Sequence, residues 1–84
     1  MNTYSFRTII EPDEGGTYHG YVPALRGCHT WGNSIEETRK RLAEAMEVFV
    51  LNLIDIGEKV PEEQGMEFMQ TISIPSSINT HSYA

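Results

Sequence analysis

Apolar and polar residues alternate from Tyr4 to Glu11, with Tyr4, Phe6, Thr8 and Ile10 on one side and Ser5, Arg7, Ile9 and Glu11 on the other. A period of two marks a half-buried strand, because successive side chains leave a strand on opposite faces. The turn formers "PDEGG" follow, and then "TYHGYV", in which Tyr18, Gly20 and Val22 alternate with His19 and Tyr21. The two segments read as a hairpin whose loop is longer than two residues. Pro23 lacks a ladder donor and ends or bends the second strand. "GCHTW" reads as a short third strand closed by Gly32.

The period changes at Ser34. Ser34 and Glu37 have the spacing of a capping box, in which the hydroxyl accepts from the third helical N–H and the carboxylate returns to the cap's own N–H. Ile35, Thr38, Leu42, Ala45, Met46, Phe49, Leu53 and Ile56 then recur every three or four residues, a single stripe suited to covering a sheet. Gly57 supplies a C-cap and Pro61 forbids continuation. The spacing predicts a helix from Ile35 to Ile56, roughly 33 Å long at about 1.5 Å per residue. "MEFMQTISI" alternates again, with Met66, Phe68, Ile72 and Ile74 on one side, and predicts a fourth strand that Pro75 stops. Residues 1–75 thus read as one α+β domain, β-β-β-α-β, with an antiparallel three-stranded sheet and one long helix on one face. Residues 76–84 read as a disordered polar tail.

The helix carries an anomaly. "VFVLNLIDI" sets Val48, Leu51 and Ile54 on the side away from the core stripe, where the first half of the same side holds Glu36, Lys40, Glu44 and Glu47. A helix that turns apolar all round needs cover all round, and one sheet supplies only one side. Val48, Leu51 and Ile54 are therefore expected to meet a second copy, giving a homo-oligomer, a dimer or tetramer. The length agrees, since 84 residues bury only about 60–65% of the unfolded surface and small folds without disulfides or metals gain stability by oligomerising.

Twelve Asp and Glu against six Lys and Arg give a net charge of −6. Such a surface repels phosphates, so direct nucleic-acid binding is disfavoured and a basic protein is the natural complement. The acidic residues are scattered along the chain, a pattern that ordinary solubility explains equally well. The amino terminus "MNTYSFRTII" has neither a basic stretch nor an apolar core of a secretion signal. The longest apolar run, Val48 to Leu51, is far too short for a bilayer. The expectation is a soluble, cytoplasmic protein with no membrane contact.

The lone cysteine, Cys28, stands beside His29 and close to the only tryptophan, Trp31. Strand neighbours point to opposite faces, so Cys28 and His29 cannot act as a nucleophile–base pair by themselves. His19 on the neighbouring strand could approach, but nothing in the spacing demands it, and Cys28 reads as a buried structural thiol. One Cys and three scattered His do not make a zinc site. Glu11, Asp13 and Glu14 lack the ordered spacing of a calcium loop. No glycine-rich phosphate loop or Ser–His–Asp order is present. The chain is read as a non-enzyme with no cofactor and no metal.

"GYVPALRGCHTWGNSIEET", followed by the amphipathic helix and "IGEKVPEE", resembles the HicB antitoxin family over Tyr4 to about Ile74. The resemblance implies a partial ribonuclease H-like fold that has lost its nuclease chemistry. It also implies a partner, a small basic ribonuclease toxin of the HicA type that cuts messenger RNA. Gly20, Tyr21, Val22, Pro23, Gly27, Cys28, Thr30, Gly32 and Ser34 match the family pattern and already carry structural roles, whereas His29 and Trp31 fall at positions the pattern leaves open. Arg26 stands where the family commonly has proline. Many members continue into a ribbon-helix-helix or helix-turn-helix domain, and this chain has only nine, mostly polar, residues after Pro75, so operator binding is not expected. The acidic hairpin suggests Glu11, Asp13, Glu14 and Tyr18 as the toxin contact, with the toxin also an alternative occupant of the Val48, Leu51 and Ile54 surface. Two rival readings remain: a stand-alone oligomeric module, ligand-sensing or structural, without a toxin, and a residual metal-dependent nuclease, for which the carboxylates of one loop are a poor set.

Overall fold

In the computed structural model, which describes residues 2–77, the period-two segments form three antiparallel strands, each shorter than its pattern. They are β1 (Ile9–Pro12), β2 (Tyr18–Tyr21) and β3 (His29–Gly32), in sheet order β1-β2-β3. Asp13 N donates to Thr17 O at 2.8 Å and closes the β1–β2 loop around a short 3-10 turn, where Gly15 and Gly16 hold φ of 74° and 79°. Between β2 and β3, Leu25 N donates to Val22 O and Cys28 N to Leu25 O, both at 3.0 Å. That turn carries Leu25 into the core, and Gly27 completes it at φ 92°.

One helix, α1 (Ile35–Asp55), lies across the sheet. Ser34 Oγ accepts from Glu37 N at 3.0 Å, as the capping box requires. The Glu37 carboxylate does not return to the cap; it lies 3.0 Å from Arg41 Nη2, one turn on. At the other end Glu58 N donates to Leu53 O at 2.8 Å across Gly57, which sits at φ 77° in a Schellman closure.

Val22, Leu25, Cys28, Leu42 and Val50 form the core, with Phe6, Ala45, Met46, Phe49 and Val60 packed around it. The sequence stripe is corrected at both ends, because Ile35 is 56% and Ile56 69% exposed, while Val50 joins the core. Four-residue strands are about 13 Å long, and a 21-residue helix is about 32 Å, so the sheet covers only part of the helix. Cys28 is buried, and burial pushes its thiol up from its ordinary value, so it stays neutral and unreactive. Cys28→Ser should lower stability by about 1–3 kcal/mol in urea titration, because a buried hydroxyl needs a partner that a thiol does not. An unchanged midpoint would mean that the hydroxyl finds a partner in the core.

Two predicted strands differ from the structure. Tyr4–Thr8 has the alternation but no ladder, since Arg7 N donates to the Glu63 side chain, Oε1 at 2.9 Å, in place of a backbone partner. Arg7 Nε reaches Glu63 Oε2 at 3.2 Å and Gly65 N reaches the same oxygen at 2.9 Å. These backbone bonds, with the guanidinium, hold the Glu63 carboxyl below the usual carboxylate range. Beyond this clamp, residues 66–74 form no ladder among the described residues, so the fourth strand is not seen as a paired strand. Alternation specifies a strand's faces but not where its partner lies. Most of the predicted tail, residues 78–84, lies outside the described residues. No helix among the described residues is long and apolar enough to cross a membrane.

Candidate functional site

The helix fixes which face of the sheet is covered. A Cβ built on Gly20 would meet Thr38 and Leu42 of α1, and one on Gly32 would meet Thr38, so these positions face the helix. By strand alternation Ile9, Glu11, His19, Tyr21, His29 and Trp31 face the other way. The register sets His19 opposite Trp31 and Tyr21 opposite His29, with Glu11 opposite His19 and Ile9 opposite Tyr21.

The result is a ring cluster on the helix-free face. The His19 ring stacks on Trp31 at 4.6 Å between centroids and on Tyr21 at 5.4 Å. His29 presents its edge to His19 at 5.3 Å and to Trp31 at 4.9 Å. His19 Nε2 and His29 Nδ1 are 3.1 Å apart, a bond that needs an N–H on one ring and a lone pair on the other. Two imidazolium rings cannot keep it.

Trp31 is fixed from both sides while remaining 45% exposed. Its indole Nε1 donates to Asp13 Oδ2 at 2.8 Å, and its carbonyl accepts from Arg41 Nη1 at 3.0 Å. Asp13 Oδ1 accepts from Glu14 N at 2.8 Å. That backbone bond, and then the indole, hold the Asp13 carboxyl below the usual range, so it stays ionised at neutral pH. Tyr21 is pushed the other way, by desolvation and by the neighbouring Glu11 carboxylate. An indole held in place on an exposed face is a preorganised anchor, since little side-chain entropy remains to be lost when a partner covers it.

Among the residues expected from sequence, Glu11 and Asp13 stand on this face and Glu14 lies in the adjoining 3-10 turn. Tyr18 does not join them, because it pairs with Gly32 and shares its helix-side face. Val48, Leu51 and Ile54 are all exposed but divide between two grooves. Val48 lies with Thr30 and Phe49 on the β3 side, Leu51 and Ile54 with Tyr4 and Phe6 on the amino-terminal side. Gly20, Gly32, Gly27, Pro23, Cys28 and Ser34 occupy the close approach, turns, core and cap. The ring cluster itself was missed. Its signal was the shared parity of His19 and Tyr21 on one strand and His29 and Trp31 on the next.

Cys28 belongs to the buried core although it also lines a shallow groove with His19, Tyr21 and His29, and burial keeps its thiol neutral. Among the described residues no group of His, Cys, Asp and Glu is arranged to hold a metal ion. What the face offers is a fixed aromatic surface with a carboxylate rim. A family model described as HicB_like antitoxin of bacterial toxin-antitoxin system matches residues 6–77. The chain belongs to the HicB-like antitoxin family. It is similar to a UPF0150 protein of Synechocystis sp., 35% identical over 60 residues that make up 71% of this chain and 76% of the relative. A UPF0150 protein of Thermoplasma acidophilum is 36% identical over 62 residues, 74% of this chain and 90% of that one. The fold matches the crystal structure of the N-terminal domain of the Burkholderia pseudomallei antitoxin HicB, with a TM-score of 0.60 and 31% identity over 80% of this chain and 72% of that chain. Membership gives this HicB-like chain the role of an antitoxin, which implies a toxin as its partner.

Proposed function

We propose that this antitoxin neutralises a small, basic, messenger-RNA-cleaving toxin of the HicA type by covering its active site with the helix-free face of the sheet. The observation that carries the reading is the Trp31 indole, stacked on His19, tied to Asp13 and open to solvent. Contiguous exposed apolar surface marks interaction sites, and indole rings are over-represented among the residues that dominate binding energy. Glu11, Asp13 and Glu14 give the face an acidic rim on a chain of net charge −6, which complements a protein built to hold RNA phosphates. His29 and Trp31 occupy positions that the family pattern leaves open, where a chain can differ from its relatives and so choose its own toxin. Neutralisation is by occupancy, so the antitoxin itself catalyses nothing, and it acts in the cytoplasm, where messenger RNA is cut.

The test is to co-express a tagged copy with the product of the neighbouring gene, purify the complex and assay RNA cleavage before and after adding free antitoxin. Rim charges act mainly on encounter and are screened beyond about 10 Å at 0.1 M salt. The association rate should therefore fall at least about tenfold between low and high salt in stopped-flow mixing, and Glu11→Gln with Glu14→Gln should flatten the dependence. A rate that stays level across the salt range removes charge steering from the account.

A further inference from the structure

Trp31 stands on β3, an edge strand of the sheet. Its partner across the ladder is His19 of β2, whose ring stacks on one face of the indole at 4.6 Å between centroids and 25° from parallel. Among the described residues no further strand lies beyond β3. The opposite indole face therefore looks out past the sheet edge, which accounts for a residue that is 45% exposed although two hydrogen bonds hold it.

That open face has a fixed negative charge beside it. Asp13 Oδ2 accepts from Trp31 Nε1 at 2.8 Å, which sets the carboxylate at the edge of the ring, and Oδ1 accepts from Glu14 N at 2.8 Å. Each oxygen of an ionised carboxylate keeps acceptor capacity after one such bond. Glu11, opposite His19 and on the same side of the sheet, adds a second carboxylate. Neither Arg7 nor Arg41 is free to fill the place. Arg7 is taken by Glu63 and Glu67, and Arg41 by Glu37 and the Trp31 carbonyl. The 3.1 Å bond between His19 Nε2 and His29 Nδ1 needs a lone pair on one ring, so while it holds at most one imidazole is charged.

We propose that the open face of Trp31 is a seat for an arginine side chain of the toxin, its guanidinium lying flat on the indole with Asp13 as counter-ion. The face of an aromatic ring is negative, an indole most of all, and it attracts a cation within about 6 Å of its centroid. Arginine suits the seat better than lysine. A planar guanidinium stacks on the ring while its in-plane N–H groups remain free to reach the carboxylate, and it is more weakly hydrated than an ammonium, so it loses less when the interface closes. Surfaces that hold RNA phosphates are built from such side chains. Seating one on Trp31 would take from the toxin a group that it uses on RNA. That the donor is the toxin rests on the proposed function, whereas the choice of a guanidinium rests on the rings and the carboxylate.

Fluorinated tryptophan tests the seat, because Trp31 is the only tryptophan in the chain and the full-length antitoxin made with mono-, di- and trifluorinated tryptophan is altered at this ring alone. Each fluorine withdraws electron density from the ring face, yet makes the indole more apolar and its N–H a better donor. A cation on the face loses binding at every step, while an apolar contact or the bond to Asp13 does not. The probes are labelled, blocked hexapeptides of arginine, of lysine and of citrulline, the neutral analogue of arginine, followed by fluorescence anisotropy at low salt. The co-purified toxin is then measured by titration calorimetry. The arginine peptide should bind several-fold more tightly than the lysine peptide, and the citrulline peptide should not bind. The affinities of the arginine peptide and of the toxin should fall stepwise, about tenfold in all from parent to trifluorinated chain. Arginine-peptide affinity that stays level across the series overturns the seat, and so does a lysine or citrulline peptide that binds as tightly. A toxin that is level across the series but weakened by Trp31→Ala rests an apolar group on the indole, which overturns the seat and leaves the proposed function standing. A toxin indifferent to both changes binds elsewhere, which overturns the proposed function and, with it, the toxin as donor.

Discussion

Gly32→Ala is expected to destabilise the domain by about 2–4 kcal/mol, out of proportion to the single methyl it adds. The added Cβ would lie 2.5 Å from Thr38 Oγ1, 2.8 Å from Thr38 N and 3.0 Å from Thr38 Cα. Two of these three atoms are helix backbone and cannot swing aside. The helix start must move off the sheet, which strains the Ser34 cap and the 2.7 Å bond from Thr38 Oγ1 to Ser34 O. Gly20→Ala is the internal control, because its Cβ would meet only side-chain atoms, Thr38 Cγ2 at 2.9 Å and Leu42 Cδ2 at 3.3 Å. It should cost about half as much, and Thr38→Ser, which removes the offending methyl, should recover part of the loss in Gly20→Ala but not in Gly32→Ala. Denaturant midpoints of the two glycine variants, each with and without Thr38→Ser, check this. A Gly32→Ala midpoint at the parent value would mean that the helix does not sit where its contacts with Gly32 put it.

Trp31→Ala is expected to weaken toxin binding by roughly 30- to 1,000-fold, the loss of about 2–4 kcal/mol that truncating an anchoring indole produces. The fold should survive, since Trp31 lies outside the core and on the face that the helix leaves open. Trp31→Phe keeps a ring on His19 but loses the donor to Asp13, and should fall between parent and alanine. Titration calorimetry against the purified toxin reads the affinities, and circular dichroism confirms the fold. Parent affinity in Trp31→Ala would move the toxin to another surface.

The parts of the fold that depend on neighbours in sequence were legible in it. The Ser34 cap, the helix end at Gly57 and the two turns rest on bonds between residues at most six positions apart, and their residue types announce them. The parts that depend on distant groups were not. Nothing near Arg7 reveals that its N–H is taken by Glu63, 56 residues away, so the first strand reads longer than it is. The helix stripe reads longer than its buried part because the strands' true length was hidden in the same way. The fourth strand is legible as a pattern, but alternation specifies faces and not a partner, and residues 66–74 join no ladder among the described residues.

The candidate site divides along the same line. The acidic rim is visible as composition, while the ring cluster exists only once the register puts His19 opposite Trp31. Tyr18 was grouped with Glu11 and Asp13 by closeness in sequence, and one step of strand alternation turns it to the helix side. His29 and Trp31 were weighed as chemistry beside Cys28, where the alternation separates them: the thiol enters the core, and the rings meet the solvent.

The proposed toxin-binding face can be read at one atom. Trp31 is the only tryptophan in the chain, so fluorotryptophan incorporated into the antitoxin alone reports on this site and no other. Fluorine NMR during titration with unlabelled toxin should show the Trp31 resonance move and lose its sensitivity to a soluble paramagnetic quencher in step with complex formation, as the indole passes from solvent into the interface. A complex that forms, by mass, while the Trp31 resonance and its quenching stay as they were in the free protein would contradict the assignment of the helix-free face to the toxin.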